Sequence, residues 1–294
     1  MVRVGTDSIL SVGGRRVAVA EYGDPQGRSV FLLHGTPACR LGNDFVDAPA
    51  RERGVRVICP DRGGVGRSEP VPGRTLAGCA REIDDLADVL GIGEFGIVGY
   101  SGGGPFAVAC AAGCGPRLTS VALMASVAPV DDRDGARDGL ATSDLHLLDL
   151  SINGPGWARW LLRFERLATM LVPSLAVKQL AAELTPVDQA ELARHAPRAA
   201  MVGFVEALRP GPNGVITDYR LWGSPWGVDW SGISVPVHVF QGDADAFVPV
   251  HHAEDLIRRL PDGVGHRHLL PGTGHFSIQG RVGEILDVVV PVGG

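Results

Sequence analysis

The segment Gly99-Tyr100-Ser101-Gly102-Gly103 fits G-x-S-x-G and stands between two apolar runs, FGIVGYS (95–101) and PFAVACAAGC (105–114). The first run has the length of a strand and the second that of a helix. A sharp strand-to-helix turn would expose the serine hydroxyl, and its glycines would let neighbouring backbone approach. The N-terminus of the following helix offers unpaired N–H groups to a developing oxyanion. The ordinary alternative is a glycine-rich turn with no chemistry. The strand–turn–helix context favours a nucleophile, which makes Ser101 the candidate for attack on a carbonyl.

A serine hydroxyl needs a base, and the base needs a group to orient it. In a doubly wound sheet such groups leave the C-terminal ends of later strands. Gly274-His275 follows the last strand-like run, which makes His275 the candidate base. The other histidines lack such a position. His251 and His252 open a helix, where they are expected to be solvated; His266 and His268 alternate along a short strand; His146 and His195 lie in an insertion. Gly242-Asp243-Ala244-Asp245 follows the strand-like run 235–241. Spacing alone leaves Asp243 and Asp245 both open as the acid, although Asp243 is placed to cap the turn.

An oxyanion hole needs two backbone donors. Gly102, next after the serine, supplies one. The segment His34-Gly35-Thr36-Pro37 supplies the other, through the N–H of Thr36, because Pro37 has none. His34 is expected to orient that loop by hydrogen bonding.

The elements that must hold these groups alternate strand and helix. A hairpin (9–12 and 15–21) turns at Gly13-Gly14. Apolar strand runs follow at 29–35, 55–61, 95–101 and 121–127, with helices at 40–53, 75–90 (starting near Thr75) and 105–114. Continuously apolar strands alternating with helices mean a mostly parallel, doubly wound α/β sheet covered on both faces. The pattern stops near Val130 and resumes at 235–242, with a helix at 251–260, a strand at 266–270 and a last helix at 277–290. The expected division is therefore a core of residues 1–130 and 233–294 with an inserted helical cap, 131–232, which opens on the acidic loop 131–138.

All five tryptophans, Trp157, Trp160, Trp222, Trp226 and Trp230, fall in the insertion. Its clearest helix, 157–172, gathers Trp157, Trp160, Leu161, Phe164, Leu167, Ala168 and Leu171 on one face and Arg159, Arg163 and Arg166 on another. The expected arrangement buries the aromatic face on the core or over the site; the alternative is an interfacial lid with the arginines against anionic lipid. On this pattern Trp157, Trp160, Trp222 and Trp226 are candidates to line an apolar acyl or ring pocket.

Five motifs in order, HGTP (34–37), DRGGVGRS (61–68), GYSGG (99–103), GDADAFVP (242–249) and GTGHFS (272–277), resemble the α/β-hydrolase superfamily, among its capped bacterial members with an HG-x-P oxyanion loop. The resemblance covers about 10–130 and 233–290. It implies the α/β-hydrolase fold, Ser101 as nucleophile, His275 as base, Thr36 and Gly102 as oxyanion donors, and Asp245 over Asp243 through G-x-x-D-x-x-V-P. It implies a carboxylesterase-like serine hydrolase that cleaves an ester, lactone or thioester of a small or apolar substrate without a cofactor. A carbon–carbon bond hydrolase or cyclase with the same triad is the alternative enzyme, and a non-catalytic small-molecule receptor the alternative outside catalysis. Ser101 departs from the aspartate nucleophile of epoxide hydrolases and haloalkane dehalogenases. HGTPACR departs from the HGGPG of proline iminopeptidases, and Thr36 from the aromatic of perhydrolase-type members.

Other chemistry is disfavoured. G-x-G-x-x-G at 91–96 follows a helix and precedes a strand, the reverse of a dinucleotide-binding turn. Gly102-Gly103-Gly104 lacks the Lys-Ser/Thr of a phosphate loop, and no His or Cys spacing suggests a metal. Among 294 residues, 45% are hydrophobic and 20% charged, enough for a full core. The net charge of −6 makes nucleic acid a poor partner. No apolar run reaches the ~20 residues of a membrane span, and no secretory signal is apparent, so no stable membrane anchor is expected. Five scattered cysteines suit a reducing, cytoplasmic compartment. Of 27 basic residues only Lys178 is lysine, a bias that points to a GC-rich, bacterial coding sequence. A small-molecule substrate is the expected partner, with a homodimer left open.

Overall fold

The computed structural model describes residues 5–130, 134–194 and 197–290; the first three residues of the acidic loop (131–133) and His195 lie outside them. Among the described residues, eight strands form one sheet in the order β1-β2-β4-β3-β5-β6-β7-β8. β1 (Thr6–Val12) and β2 (Arg15–Gly23) pair as an antiparallel hairpin. Its turn residues Gly13 and Gly14 both have positive φ, as a tight two-residue hairpin turn requires. β2 pairs antiparallel with β4 (Val55–Pro60). β4, β3 (Arg28–Leu33), β5 (Phe95–Tyr100), β6 (Leu118–Met124), β7 (Val237–Gly242) and β8 (Gly265–Leu270) run parallel. β5 is buried at all six residues, as a central strand covered on both faces must be.

Helices α1 (Asp47–Glu52), α2 (Leu76–Val89) and α3 (Gly104–Gly113) fall between the early strands. Among the described residues, six more come between β6 and β7: α4 (Thr142–Asn153), α5 (Pro155–Leu171), α6 (Pro173–Ala182), α7 (Pro186–Arg194), α8 (Pro197–Ala207) and α9 (Asn213–Trp222). These helices are the inserted segment, the cap. α10 (Val250–Arg259) follows β7 and α11 (Val282–Val289) follows β8. One face of the sheet packs through Phe31, Ile97 and Leu123 against α2, α3 and α10. The other packs through Val30, Val98 and Ala122 against α1 and α11. A third apolar cluster, with Leu148, Leu162 and Trp222, joins the cap helices to one another and to Phe247 and Val248 of the core.

Thr75 caps α2 by accepting the Gly78 N–H at 3.0 Å, where the sequence placed that helix start. The helix expected at 40–53 begins only at Asp47, after a short 3₁₀ turn at Asp44–Val46. Two features replace its first turns. Gly42 has φ +88°, which breaks a right-handed helix. Arg40 is buried in a network of ion pairs to Asp7 (2.7 Å), Asp61 (2.7 Å) and Glu206 (3.1 Å). That network fixes the chain in an irregular path beneath the cap. All five cysteines are free and buried. No helix among the described residues is long and apolar enough to cross a membrane.

Candidate active site

Ser101 follows β5 and opens a 3₁₀ turn (Ser101–Gly103) that runs into α3. Its φ of +53° lies in the left-handed region, which costs a residue with a Cβ of order 1 kcal/mol or more. The surrounding packing over-determines that conformation. At Gly103 a Cβ would come within 2.1 Å of the Leu33 carbonyl oxygen, so only glycine lets the turn lie against β3. The strain and the close approach together lift the serine hydroxyl off the strand end.

Three distant segments meet there. The Ser101 Oγ lies 3.1 Å from His275 Nε2. His275 Nδ1 lies 2.9 Å from Asp245 Oδ2. The Asp245 side chain is fully buried, and its carboxylate also accepts from Gln241 Nε2 (3.0 Å) and from the Phe247 and Val248 N–H groups (2.8 Å each). Asp243 does something else: its Oδ1 accepts the Gly272 N–H at 2.6 Å and ties the β8 exit turn. The geometry thus separates the two carboxylates that spacing left open.

His275 is buried, with its ring stacked between Tyr100 (centroids 5.5 Å) and Phe247 (5.2 Å). Burial alone would favour the neutral imidazole. The Asp245 carboxylate, by charge and by hydrogen bond, reverses that and holds the imidazole above its ordinary pKa, with smaller help from Asp144 and Asp188.

The loop after β3 closes the other side. A Cβ on Gly102 would lie 3.2 Å from the Thr36 backbone N, so the two candidate oxyanion donors stand side by side. His34 is wholly buried, with Nδ1 2.9 Å from the Gly35 carbonyl and Nε2 3.5 Å from the Arg62 N–H. Burial first, and the Arg62 cation second, push its pKa well down, so the ring is neutral.

Beneath that loop lies a buried cluster that motif reading along the chain does not report. The Arg62 guanidinium donates to the carbonyls of His34 (2.5 Å) and Gly35 (2.9 Å) and to Thr36 Oγ1 (3.0 Å). Asp218 of α9 binds Arg62 at 2.7 Å and is also paired with Arg74. Burial would raise the Asp218 carboxyl, but the two guanidiniums outweigh it and hold the group below its usual range. Arg62 belongs to DRGGVGRS, yet its partner is 156 residues away in the cap, a separation no local pattern reports.

A cavity of about 930 Å³ opens in front of Ser101 and His275, a size suited to a small-molecule ligand. Its wall is largely apolar, with Leu147, Leu161, Phe164, Ala168, Val172 and Phe204 contributed by the cap. Among the described residues, four carboxylates line it, Asp44, Asp144, Glu165 and Glu191, and no lysine or arginine does. Asp144 accepts the Tyr219 hydroxyl at 2.6 Å; burial above all pushes its carboxyl up to about 6.

The tryptophans expected to line this pocket do not. Trp157 and Trp160 are 70% and 61% exposed. The buried residues of α5 are Ala158, Leu162 and Thr169; its two tryptophans point outward, while Leu161, Phe164 and Ala168 of the same expected face line the cavity. Trp222 packs inside the cap cluster and Trp226 against the core, with Trp226 Nε1 bonded to the Trp222 carbonyl at 3.0 Å. The pocket is built instead from leucine, phenylalanine and valine on the inner flank of the same helix and its neighbours. His252 also departs from expectation: it is buried, and its Nδ1 accepts the Ala128 N–H at 3.0 Å. Among the described residues no group of three or more His, Cys, Asp or Glu is arranged to hold a metal ion.

Known proteins of the same fold are numerous. The structure superposes on an esterase from Exiguobacterium antarcticum with a TM-score of 0.70 at 18% identity, covering 97% of this chain and 98% of that one. A bromoperoxidase from Bacillus anthracis gives 0.71 at 19% identity, over 97% and 98%. An enol-lactonase from Burkholderia xenovorans LB400 gives 0.67 at 17%, over 96% and 98%. At these identities the likeness is one of fold. In sequence, 87 residues are 37% identical to a stretch of a protein named probable oxidoreductase EphD in Mycobacterium tuberculosis. The match takes in 29% of this chain and spans about 14% of the length of that relative. Residues 30–287 match the family model described as the alpha/beta hydrolase family, and the chain belongs to that family.

Proposed function

We propose that this protein is a serine hydrolase that cleaves carboxylic esters, lactones or thioesters of uncharged, largely apolar substrates. The observation that carries this reading is the unbroken hydrogen-bonded line from Ser101 Oγ through the His275 imidazole to Asp245, at 3.1 and 2.9 Å. His275 takes the proton as Ser101 attacks the carbonyl carbon. Asp245 fixes the tautomer with Nδ1–H toward itself and stabilises the imidazolium that forms. The Thr36 and Gly102 N–H groups bind the oxyanion. His275 then gives its proton to the leaving alcohol, thiol or lactone oxygen. Water, activated by the same imidazole, releases the acyl group and restores the serine.

The substrate class follows from the cavity. Its cap-side wall is largely apolar, and among the described residues it is lined by four carboxylates and, apart from His275, no basic side chain. A substrate bearing its own carboxylate near the scissile bond would meet like charge, with no lysine or arginine among the described lining residues to offset it.

A fluorophosphonate probe tests the reading. The wild-type chain labels at Ser101 and turns over neutral p-nitrophenyl esters, and Ser101→Ala loses both. Turnover that persists in that variant places the nucleophile elsewhere.

A further inference from the structure

Asp188 lies on α7 of the cap, yet its side chain reaches the loop that carries His275. It is wholly buried. Its Oδ2 accepts the His275 N–H at 2.7 Å, and its Oδ1 accepts the N–H groups of Phe276 (3.0 Å) and Ser277 (2.8 Å). None of the described ion pairs gives it a cation. An uncompensated buried carboxylate is costly, and here three converging amide donors take the place of solvent. A Cβ on Gly274 would lie 2.2 Å from Asp188 Oδ2, so the glycine before His275 is what makes room for the carboxylate.

The backbone of His275 is therefore held at both ends by different parts of the molecule. Its carbonyl accepts the Tyr100 hydroxyl of the core at 2.9 Å. Its N–H is held by the cap. The preceding residues are tied down within the core, Gly272 by Asp243 and Thr273 by the Ala244 N–H.

We propose that Asp188 is a positioning residue for the His275 base, so that the cap sets the imidazole in register between Ser101 and Asp245. This rests on the reading of His275 as the base. The reasoning is geometric: an imidazole must meet a hydroxyl and a carboxylate at once, and a shift of ~1 Å in its backbone is enough to cost about 100-fold in rate. A cap that swings away withdraws the clamp, and the catalytic line loosens with it. Asp188 also adds negative charge beside the ring. Among the described residues, the ionisable groups facing that ring are Asp245 from the loop after β7, Asp144 from α4, Asp188 from α7 and the stacked Tyr100 phenol at the end of β5.

Two variants and two readouts test the proposal. Asp188→Asn preserves size but removes the charge and one of the two acceptors. Gly274→Ala keeps the charge and forces the carboxylate away. The first readout is the His275 imidazole titration followed by NMR on ¹⁵N-histidine protein, which needs no substrate. The second is the rate of fluorophosphonate labelling at Ser101. Asp188→Asn lowers the His275 pKa by about 1 unit, and both variants slow labelling by about 100-fold. Folded Asp188→Asn protein with a wild-type titration and a wild-type labelling rate overturns the proposal; should that variant not fold, an unchanged labelling rate in Gly274→Ala does so. If the wild-type chain neither labels nor turns over esters, the function proposed above fails, while the imidazole titration still decides whether Asp188 governs His275.

Discussion

Two histidines are buried beside Ser101, one on each side, and their ionisation is pushed in opposite directions. His34 beneath the oxyanion loop goes down, and His275 goes up. Burial lowers both. The partners differ: His34 sits against the Arg62 guanidinium, whereas His275 sits against the Asp245 carboxylate. Desolvation at equal depth thus does not decide a histidine's role; the sign of the nearest fixed charge does. On the oxyanion side, a neutral ring and a paired guanidinium hold backbone carbonyls in place. On the base side, an imidazole surrounded by carboxylates is poised to accept a proton.

The largest expected effect comes from removing the charge that sets the base side. Asp245→Asn should lower kcat by about 10⁴-fold, because the amide can no longer hold the required tautomer. Asp243→Asn should cost far less, since that carboxylate serves a turn. Steady-state kinetics of the two variants checks the order. Equal losses would mean that the turn, and not the tautomer, limits the reaction.

The matching cut on the oxyanion side is Asp218→Ala. It leaves Arg62 and Arg74 buried with their shared carboxylate gone, a loss of about 3–5 kcal/mol of stability. Urea denaturation measures it. A loss below 1 kcal/mol would show that water or a rotated side chain replaces Asp218, and the two sides would then differ less than the buried charges imply.

How much of this could be read along the chain depends on range. The strands were legible because a central parallel strand is apolar on both faces, as FGIVGY is. Ser101, His275 and the Asp243/Asp245 pair were legible because each leaves a strand end in a short motif. Arg62–Asp218 and Asp188–His275 were not, because each joins core to cap across 156 and 87 residues and neither carboxylate sits in a recognisable pattern. The tryptophans misled for a related reason. Periodicity along α5 shows that one face is aromatic, but not whether that face turns inward. Here small residues, Ala158 and Thr169, let the helix pack closely on another side, which leaves Trp157 and Trp160 in solvent while Phe164 reaches the cavity.

The pH dependence of the two histidines separates them further. With His275 as the proposed base, activity requires its neutral form, so kcat/KM should rise with pH through an apparent pKa above the ordinary 6.5, and Asp245→Asn should move that limb downward. Stability follows opposite signs. The raised His275 contributes stability in full below pH 6.5 and loses it as pH rises through its folded pKa. The lowered His34 contributes stability above pH 6.5 and loses it as pH falls. His34→Gln should therefore show a shallower fall of Tm on the acid side than the wild type. An equally steep fall would place the acid-sensitive group elsewhere.

The smallest effect concerns a third histidine, which asks whether burial or a neighbouring cation is needed for a lowered pKa. His238 on β7 is only partly buried, stacked on His266 (4.7 Å) and bonded to His268 at 3.1 Å. Its pKa is pushed down to about 4, by desolvation first and then by the like charge its two neighbours would carry. Between pH 6.5 and about 4 the unfolded chain takes up a proton that the folded one resists, so stability falls as pH falls through that window. His238→Phe keeps a ring in the stack and removes the titration. It should match the wild-type Tm at pH 8 and exceed it at pH 4.5, by less than His34→Gln flattens the same curve, because solvent screens a half-exposed site. If the two variants recover equal amounts of acid stability, depth of burial matters less than the crowding of imidazoles at the sheet edge.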